Sequence, residues 1–265
     1  LRMQKETADQ DRYRGDEKIE KLLREMDYYQ QLDNDCRWRP FQLAFLLMDV
    51  ASIVDNTSPD RDIVDLIWFP TGGGKTEAYL GLTAFTIFYR RLMYLNESDG
   101  TAVIMRYTLR LLAAQQFSRA STLICACEYI RRDCEQKRSK YPRYALGKNS
   151  ITIGLWIGRE HTPNTNKEAD KYLAELGNVS SAHQVKYAKE KNNKFQVLKC
   201  PWCGTKLVKD SKDGKLVGEW GYSMKSKRHF YMYCPHEACD FTDSLPLQVV
   251  DEELYENPPT LLFGT

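Results

Sequence analysis

The sequence predicts an α/β fold with a mostly parallel sheet and a cysteine-rich insertion. Three observations predict it. Short apolar runs at 63–69 (IVDLIWF), 101–107 (TAVIMRY) and 151–157 (ITIGLWI) alternate with long helical patterns. The first run leads directly into Pro70-Thr71-Gly72-Gly73-Gly74-Lys75-Thr76, a glycine-rich turn. Two cysteine pairs, Cys200/Cys203 and Cys234/Cys239, bracket a stretch of different composition.

Composition sets outer limits. The 265 residues are 42% hydrophobic and 28% charged, which fits a globular chain with a real core and excludes disordered, collagen-like and coiled-coil classes. The longest uncharged, mostly apolar run, 78–89, is too short for the roughly 20 residues of a membrane span, so no membrane partner is expected. A formal net charge of +2 gives no bulk argument for nucleic-acid binding, leaving only local patches. The chain begins at Leu1 with no apolar signal region, which is the expectation for an internal or processed piece, and a cytoplasmic location is expected. Eight cysteines in a chain of this size favour reduced thiols and metal binding over disulfide staples.

Residues 1–37 are highly charged and read as a helical lead-in, either a solvated helix or a docking arm. Residues 40–54 form a clearer helix: Phe41, Ala44, Phe45, Met48 and Ala51 recur at helical spacing, predicting one buried face, and Pro40 suits a first turn. Residues 63–69 read as a buried strand, and 77–90, apolar almost all round, as a helix packed inside the fold. After the strand at 101–107, a helix runs from 109 to about 134. Its core stripe is Ala113, Phe117, Ala120, Ile124 and Cys127, so Cys125, Cys127 and Cys134 read as buried small apolar residues. A polar helix is expected around 167–176. Residues 245–265 return to strand-like apolar runs.

The glycine-rich turn carries the strongest chemistry. Its glycines let backbone N–H groups face phosphate oxygens, and the following helix N-terminus favours an anion. Lys75 would reach the outer phosphates and the Thr76 hydroxyl would complete a Mg²⁺ shell. Phe69 stands where the strict phosphate-loop pattern has its first glycine.

The cysteines form the second site. Cys200-Pro201-Trp202-Cys203-Gly204 lets two thiolates converge on one ion, and Cys234 and Cys239 supply the second pair of a four-cysteine Zn²⁺ ribbon, with His236 as a rival fourth ligand. Lys212-Asp213-Gly214-Lys215 between apolar residues signals a hairpin. The ribbon carries Lys206, Lys209, Lys215, Lys225, Lys227 and Arg228 among Trp220, Tyr222, Phe230 and Tyr231. That mixture would suit single-stranded nucleic acid, or else the aromatics form the ribbon's own small core.

Thr71, Gly72, Gly73, Gly74, Lys75, Thr76 and Glu77 together resemble motif I of superfamily 2 helicases. Arg39-Pro40-Phe41-Gln42 resembles the upstream element whose glutamine reads an adenine edge. Gln42 offers both donor and acceptor for that task, or is otherwise a surface helix residue. Residues 107–115 resemble motif Ia, with Thr108 and Arg110 near nucleic-acid phosphate. Gly158 falls where such helicases place a glycine loop along the nucleic-acid backbone. The runs at 67–81 and 246–265 further resemble the helicase subunit of the DISARM antiphage system, which places Thr265 beside DNA in motif Ib. There the acidic run at Asp251, Glu252 and Glu253 precedes motif II. A Walker B reading of those residues is opposed by Pro246 and Gln248.

The resemblance implies a RecA-like P-loop domain over 38–198, resumed at 242–265 and interrupted by a zinc ribbon at 199–241. It implies ATP and Mg²⁺ as ligands, with Lys75, Thr76 and Glu77 as catalytic residues. DNA, single-stranded or with an unpaired end, and another defence subunit are the implied partners. It also implies that this stretch alone binds ATP without hydrolysing it. The alternatives are a non-enzymatic zinc-ribbon adaptor for nucleic acid with a relic phosphate loop, and a P-loop kinase or other NTPase, which would lack the elements at Gln42 and Arg110.

Overall fold

The computed structural model describes residues 38–68, 74–107, 110–190, 193–226 and 228–265 apart from 136–144. Its centre is a four-stranded, all-parallel sheet made of β1 (Val103–Arg106), β2 (Ile153–Trp156), β7 (Leu247–Gln248) and β8 (Leu261–Gly264), in the order β1-β8-β2-β7. The last strand of the sequence thus sits between the first two. Parallel strands need crossovers, and α3 (Arg110–Glu135) supplies the one between β1 and β2.

Register explains which residues are buried. The rows Val103–Leu261–Ile153 and Met105–Phe263–Leu155 point to one face, and Leu261, Phe263, Ile153 and Leu155 there are fully or almost fully buried. From α3, Phe117, Ala120, Ile124 and Cys127 cover this face, the stripe read from sequence; the Ala113 side chain lies outside the described residues. Burial pushes the Cys127 thiol up to about 12, as expected of an inert core residue. Ile104, Leu262 and Gly154 point to the opposite face. Gly154 is required there, because a Cβ would meet Leu254 Cδ2 at 2.3 Å and Pro259 Cγ at 2.7 Å.

Among the described residues two α-helices precede β1. Helix α1 (Pro40–Val54) has the predicted bounds but not the predicted buried face: Ala44, Met48 and Ala51 are exposed, and Gln42 is its one buried residue. It meets α2 (Lys75–Tyr94) through the edge-on pair Phe45–Tyr79. Helix α2 buries only a stripe of Ala78, Thr83, Ile87 and Arg91, rather than its whole circumference. The predicted strand at 63–69 is corrected over its described part. Residues 63–68 belong to no strand among the described residues, and Val64, Leu66 and Trp68 are each more than four-fifths exposed. An apolar run of that length fits a strand only where a sheet edge is offered to it.

After β2 come α4 (Asn166–Gly177), close to its predicted position, and α5 (Ala182–Glu190), which the sequence reading passed over. Two antiparallel hairpins follow, β3 (Asp210–Lys212) with β4 (Lys215–Val217), turning at Asp213-Gly214 as predicted, and β5 (Tyr222–Lys225) with β6 (His229–Met232). The short acidic helix α6 (Asp251–Glu256) occupies part of the stretch expected to be strand-like. The cysteine-rich stretch and the sheet share one continuous hydrophobic cluster. Among the described residues no helix is long and apolar enough to cross a membrane.

Candidate functional sites

The first site lies at the start of α2. Gly74 takes φ +90° and Lys75 begins the helix, so Lys75 and Thr76 stand in its first turn, where backbone N–H groups lack helical partners. Gln42 reaches this turn from α1. Its Nε2 donates to the Gly74 carbonyl at 2.7 Å, and its Oε1 accepts from the Arg39 N–H at 2.8 Å. A Cβ at position 74 would lie 2.8 Å from Gln42 Nε2, so both the left-handed backbone and the close approach require glycine. Gln42 is therefore no surface residue; it fastens the R-P-F-Q segment to the glycine turn. Thr71, Gly72 and Gly73 lie outside the described residues.

Glu77 pairs with Arg119 of α3. That contact sets the N-terminus of α2 beside the first half of α3, which itself begins just beyond the carboxyl end of β1. The other predicted nucleic-acid residues gather at the same end of the sheet. The row Arg106–Gly264–Trp156 ends β1, β8 and β2. Beyond it Tyr107 N–H donates to Gly264 O at 2.9 Å and Thr265 N–H to Trp156 O at 3.4 Å. Thr265 is exposed, and Gly158, at φ +88°, has no atom within 4 Å of where a Cβ would stand. Arg110 opens α3 there, its side chain outside the described residues, as is Thr108. Ligand sites of open parallel sheets form at this carboxyl edge.

The second site is the cysteine cluster. The Sγ atoms of Cys200, Cys203, Cys234 and Cys239 all lie within 4.8 Å of one another, and all four residues are buried. Cys203 and Cys234 are 3.5 Å apart, Cys200 and Cys239 4.0 Å. Tetrahedral Zn²⁺ with bonds near 2.3 Å places sulfurs about 3.8 Å apart, so the donor set fits the ion. Each knuckle is made by its own backbone: Gly204 N–H donates to Cys200 O at 2.9 Å with φ +83° at Gly204, and Cys239 N–H donates to His236 O at 2.9 Å. Burial pushes the Cys200 thiol up, while hydrogen bonds from the other three thiols pull Cys203 down. Such crowding of sulfur in a closed space is relieved by a cation. His236 is buried outside the cluster, its Nδ1 accepting from Ala238 N–H at 3.3 Å, so it shapes the second knuckle. Of the ribbon aromatics, Tyr222 and Phe230 are buried and stack on or near Phe195, which makes them core. Lys227 lies outside the described residues.

Two polar networks tie α3 and α4 to the segments that flank the cysteine cluster, and the sequence reading missed both. Glu128, fully buried in α3, accepts from Arg131, Arg132 and the Ile151 N–H, and Arg132 continues to Asp243 and the Ser244 carbonyl. The spacing Glu128, Arg131, Arg132 beside an apolar stripe was the available signal. Asn166, at the first turn of α4, donates through its amide to Glu252 at 3.1 Å and Glu253 at 2.7 Å, and its Oδ1 accepts from the Phe230 N–H at 2.8 Å. Burial, with Glu168 close by, pushes the Asp251 carboxyl up. No sequence pattern marks Asn166.

No family model matches the chain. It is 41% identical over 238 residues, 86% of its length, to the DISARM protein DrmA of Bacillus paralicheniformis. The chain spans 19% of that relative's length.

Proposed function

We propose that this chain is the ATP-binding portion of a superfamily 2 DNA helicase or translocase that acts in antiphage defence. The observation that carries the proposal is the clamp of Gln42 on Gly74 at the head of α2. It brings the R-P-F-Q segment, far away in sequence, against the glycine turn that leads into Lys75 and Thr76. The 41% identity to a DISARM protein supports the defence setting.

In this reading the domain is RecA-like. The first turn of α2 offers N–H groups and Lys75 to the nucleotide phosphates, and Thr76 holds Mg²⁺. The bound ion neutralises charge on the phosphates. Gln42 uses both ends of its amide within the protein, so reading adenine means exchanging one of those bonds, which ties nucleotide entry to the conformation at Gly74. The pair Glu77–Arg119 holds the phosphate end of α2 to α3, which rises from the carboxyl edge where Gly158 and Thr265 would meet DNA. The four cysteines hold Zn²⁺ in a structural role, since the cluster is closed and has no open position. Another defence subunit would complete the assembly.

The test is ATP hydrolysis by the full-length protein, with and without DNA, beside Lys75→Ala. DNA-stimulated turnover that disappears in the variant is expected. No turnover in either protein, with DNA binding retained but lost on zinc chelation, would replace the motor with an adaptor.

A further inference from the structure

We propose a second metal site at the junction of the β5–β6 hairpin and helix α6, formed by His229, Glu253 and Glu256 and suited to a divalent transition ion such as Zn²⁺. This site is independent of the proposed ATPase role and separate from the cysteine cluster.

Its geometry comes from two elements. Glu253 and Glu256 stand three residues apart on α6 and so share a face. His229 opens β6 and presents Nδ1 2.9 Å from Glu253 Oε1. One ligand atom from each of the three residues lies within 4.8 Å of the others. Metal–nitrogen and metal–oxygen bonds of about 2.0–2.2 Å separate neighbouring ligand atoms by roughly 3–4 Å, so an ion entering between His229 and Glu253 needs only small side-chain movements. One imidazole with two carboxylates is a mixed set that suits Zn²⁺ or its neighbours better than Mg²⁺ or Ca²⁺.

Two further observations point to a cation. Glu253 is pre-positioned: its side chain is 12% exposed, and the buried amide of Asn166 donates to Oε1. Support of a ligating carboxylate by an outer hydrogen bond is usual at metal sites. The charge on α6 is also unanswered. Asp251, Glu252, Glu253 and Glu256 crowd a six-residue helix, and among the described residues no Lys or Arg lies within ion-pair distance of any of them. Among the described residues the one ion-pair partner of this group is His229, through Glu253, beside the neutral amide of Asn166. A bound dication would balance the helix and fasten the hairpin to the segment that leads into β8, the central strand.

The experiment is calorimetric titration of Zn²⁺ into the full-length protein with its cysteine site already filled, beside His229→Ala and Glu256→Gln. Both positions lie outside the cysteine cluster and the proposed nucleotide site. The expected result is one binding event in the wild type that weakens at least about tenfold in each variant. Co²⁺ in its place should give weak visible bands without added thiolate charge-transfer intensity. Zinc content of the cysteine site must stay unchanged in both variants. If His229→Ala fails this check, Glu256→Gln at its exposed position decides. Superimposable isotherms for wild type and a correctly folded variant, or no event beyond the cysteine site, would overturn the proposal.

Discussion

Glu128→Gln should be among the most destabilising near-isosteric changes in this chain. Oε2 of Glu128 accepts from Arg131 Nε and from the Ile151 N–H, both at 2.8 Å; Oε1 accepts from Arg131 Nη2 at 2.8 Å and Arg132 Nε at 2.9 Å. The carboxylate is 0% exposed and Arg131 5%. Glutamine keeps the shape but removes the charge and aims an NH₂ at two of the four donors, so that Arg131 keeps one bond to the amide oxygen beside those to Glu135 and the Gly147 carbonyl. Removing one partner of a buried pair costs about 3–5 kcal/mol. A domain typically has roughly 5–15 kcal/mol in all, so the variant should unfold at a much lower urea concentration. A pH dependence accompanies this. Burial raises the Glu128 carboxyl, but the Arg131, Ile151 and Arg132 bonds outweigh it and hold the group below its ordinary 4.5. The unfolded chain then binds the extra proton first on acidification. The stabilisation is complete above about 4.5 and is lost as pH falls through the folded value. Urea midpoints at pH 7 and pH 3.5 for both proteins test this. A difference under about 1 kcal/mol at pH 7 would refute the account of a buried pair, and one undiminished at low pH would refute the charge argument.

Four other outcomes follow from the geometry. Cys203→Ser should lower bound zinc by one equivalent per chain, measured by metal analysis, and lower the melting temperature, because Trp202 of the same knuckle stacks on Tyr129 of α3 at 5.3 Å. Gly154→Ala should cost about 1–3 kcal/mol in chemical denaturation, its Cβ driving into Leu254 and Pro259. Gly74→Ala should cost about 1–2 kcal/mol from its φ of +90° and weaken nucleotide binding by equilibrium dialysis, with Gln42→Ala relieving part of the added clash. Asp49 is raised to about 6 by burial and by Asp65, so the folded state holds its proton longer and stability falls as pH rises from about 4 to 6. Asp49→Asn should therefore raise the melting temperature at pH 8 and leave it unchanged at pH 3.5.

What the sequence made legible and what it hid divide along a physical line. Signals that act within a few residues were readable: Pro40 at a helix start, the stripe from Phe117 to Cys127, the Asp213-Gly214 turn and the two cysteine knuckles all appear where local rules put them. Features that depend on a distant partner were not. Residues 63–68 have the composition of a strand and stay exposed, because pairing belongs to the edge that receives them and not to the run itself. The face predicted for α1 failed for the same reason: periodicity identifies a stripe but not which of its residues meet a partner, and here Phe45 meets Tyr79 while Ala44, Met48 and Ala51 stay exposed. Gln42 shows the converse. The sequence offers it as an adenine reader or else a surface residue, and neither reading marks it as the one buried residue of α1, held by the Gly74 carbonyl 32 positions on. Asn166 and Glu128 repeat that pattern, each a polar group buried by partners from several elements. These long-range polar contacts each fasten one element to another: α1 to the glycine turn, α3 to the start of β2, and α4 to α6 and β6. Substitutions at Gln42, Glu128 and Asn166 should uncouple these parts more than any exchange of an apolar residue of similar burial, since each leaves charged or hydrogen-bonding groups stranded on more than one element.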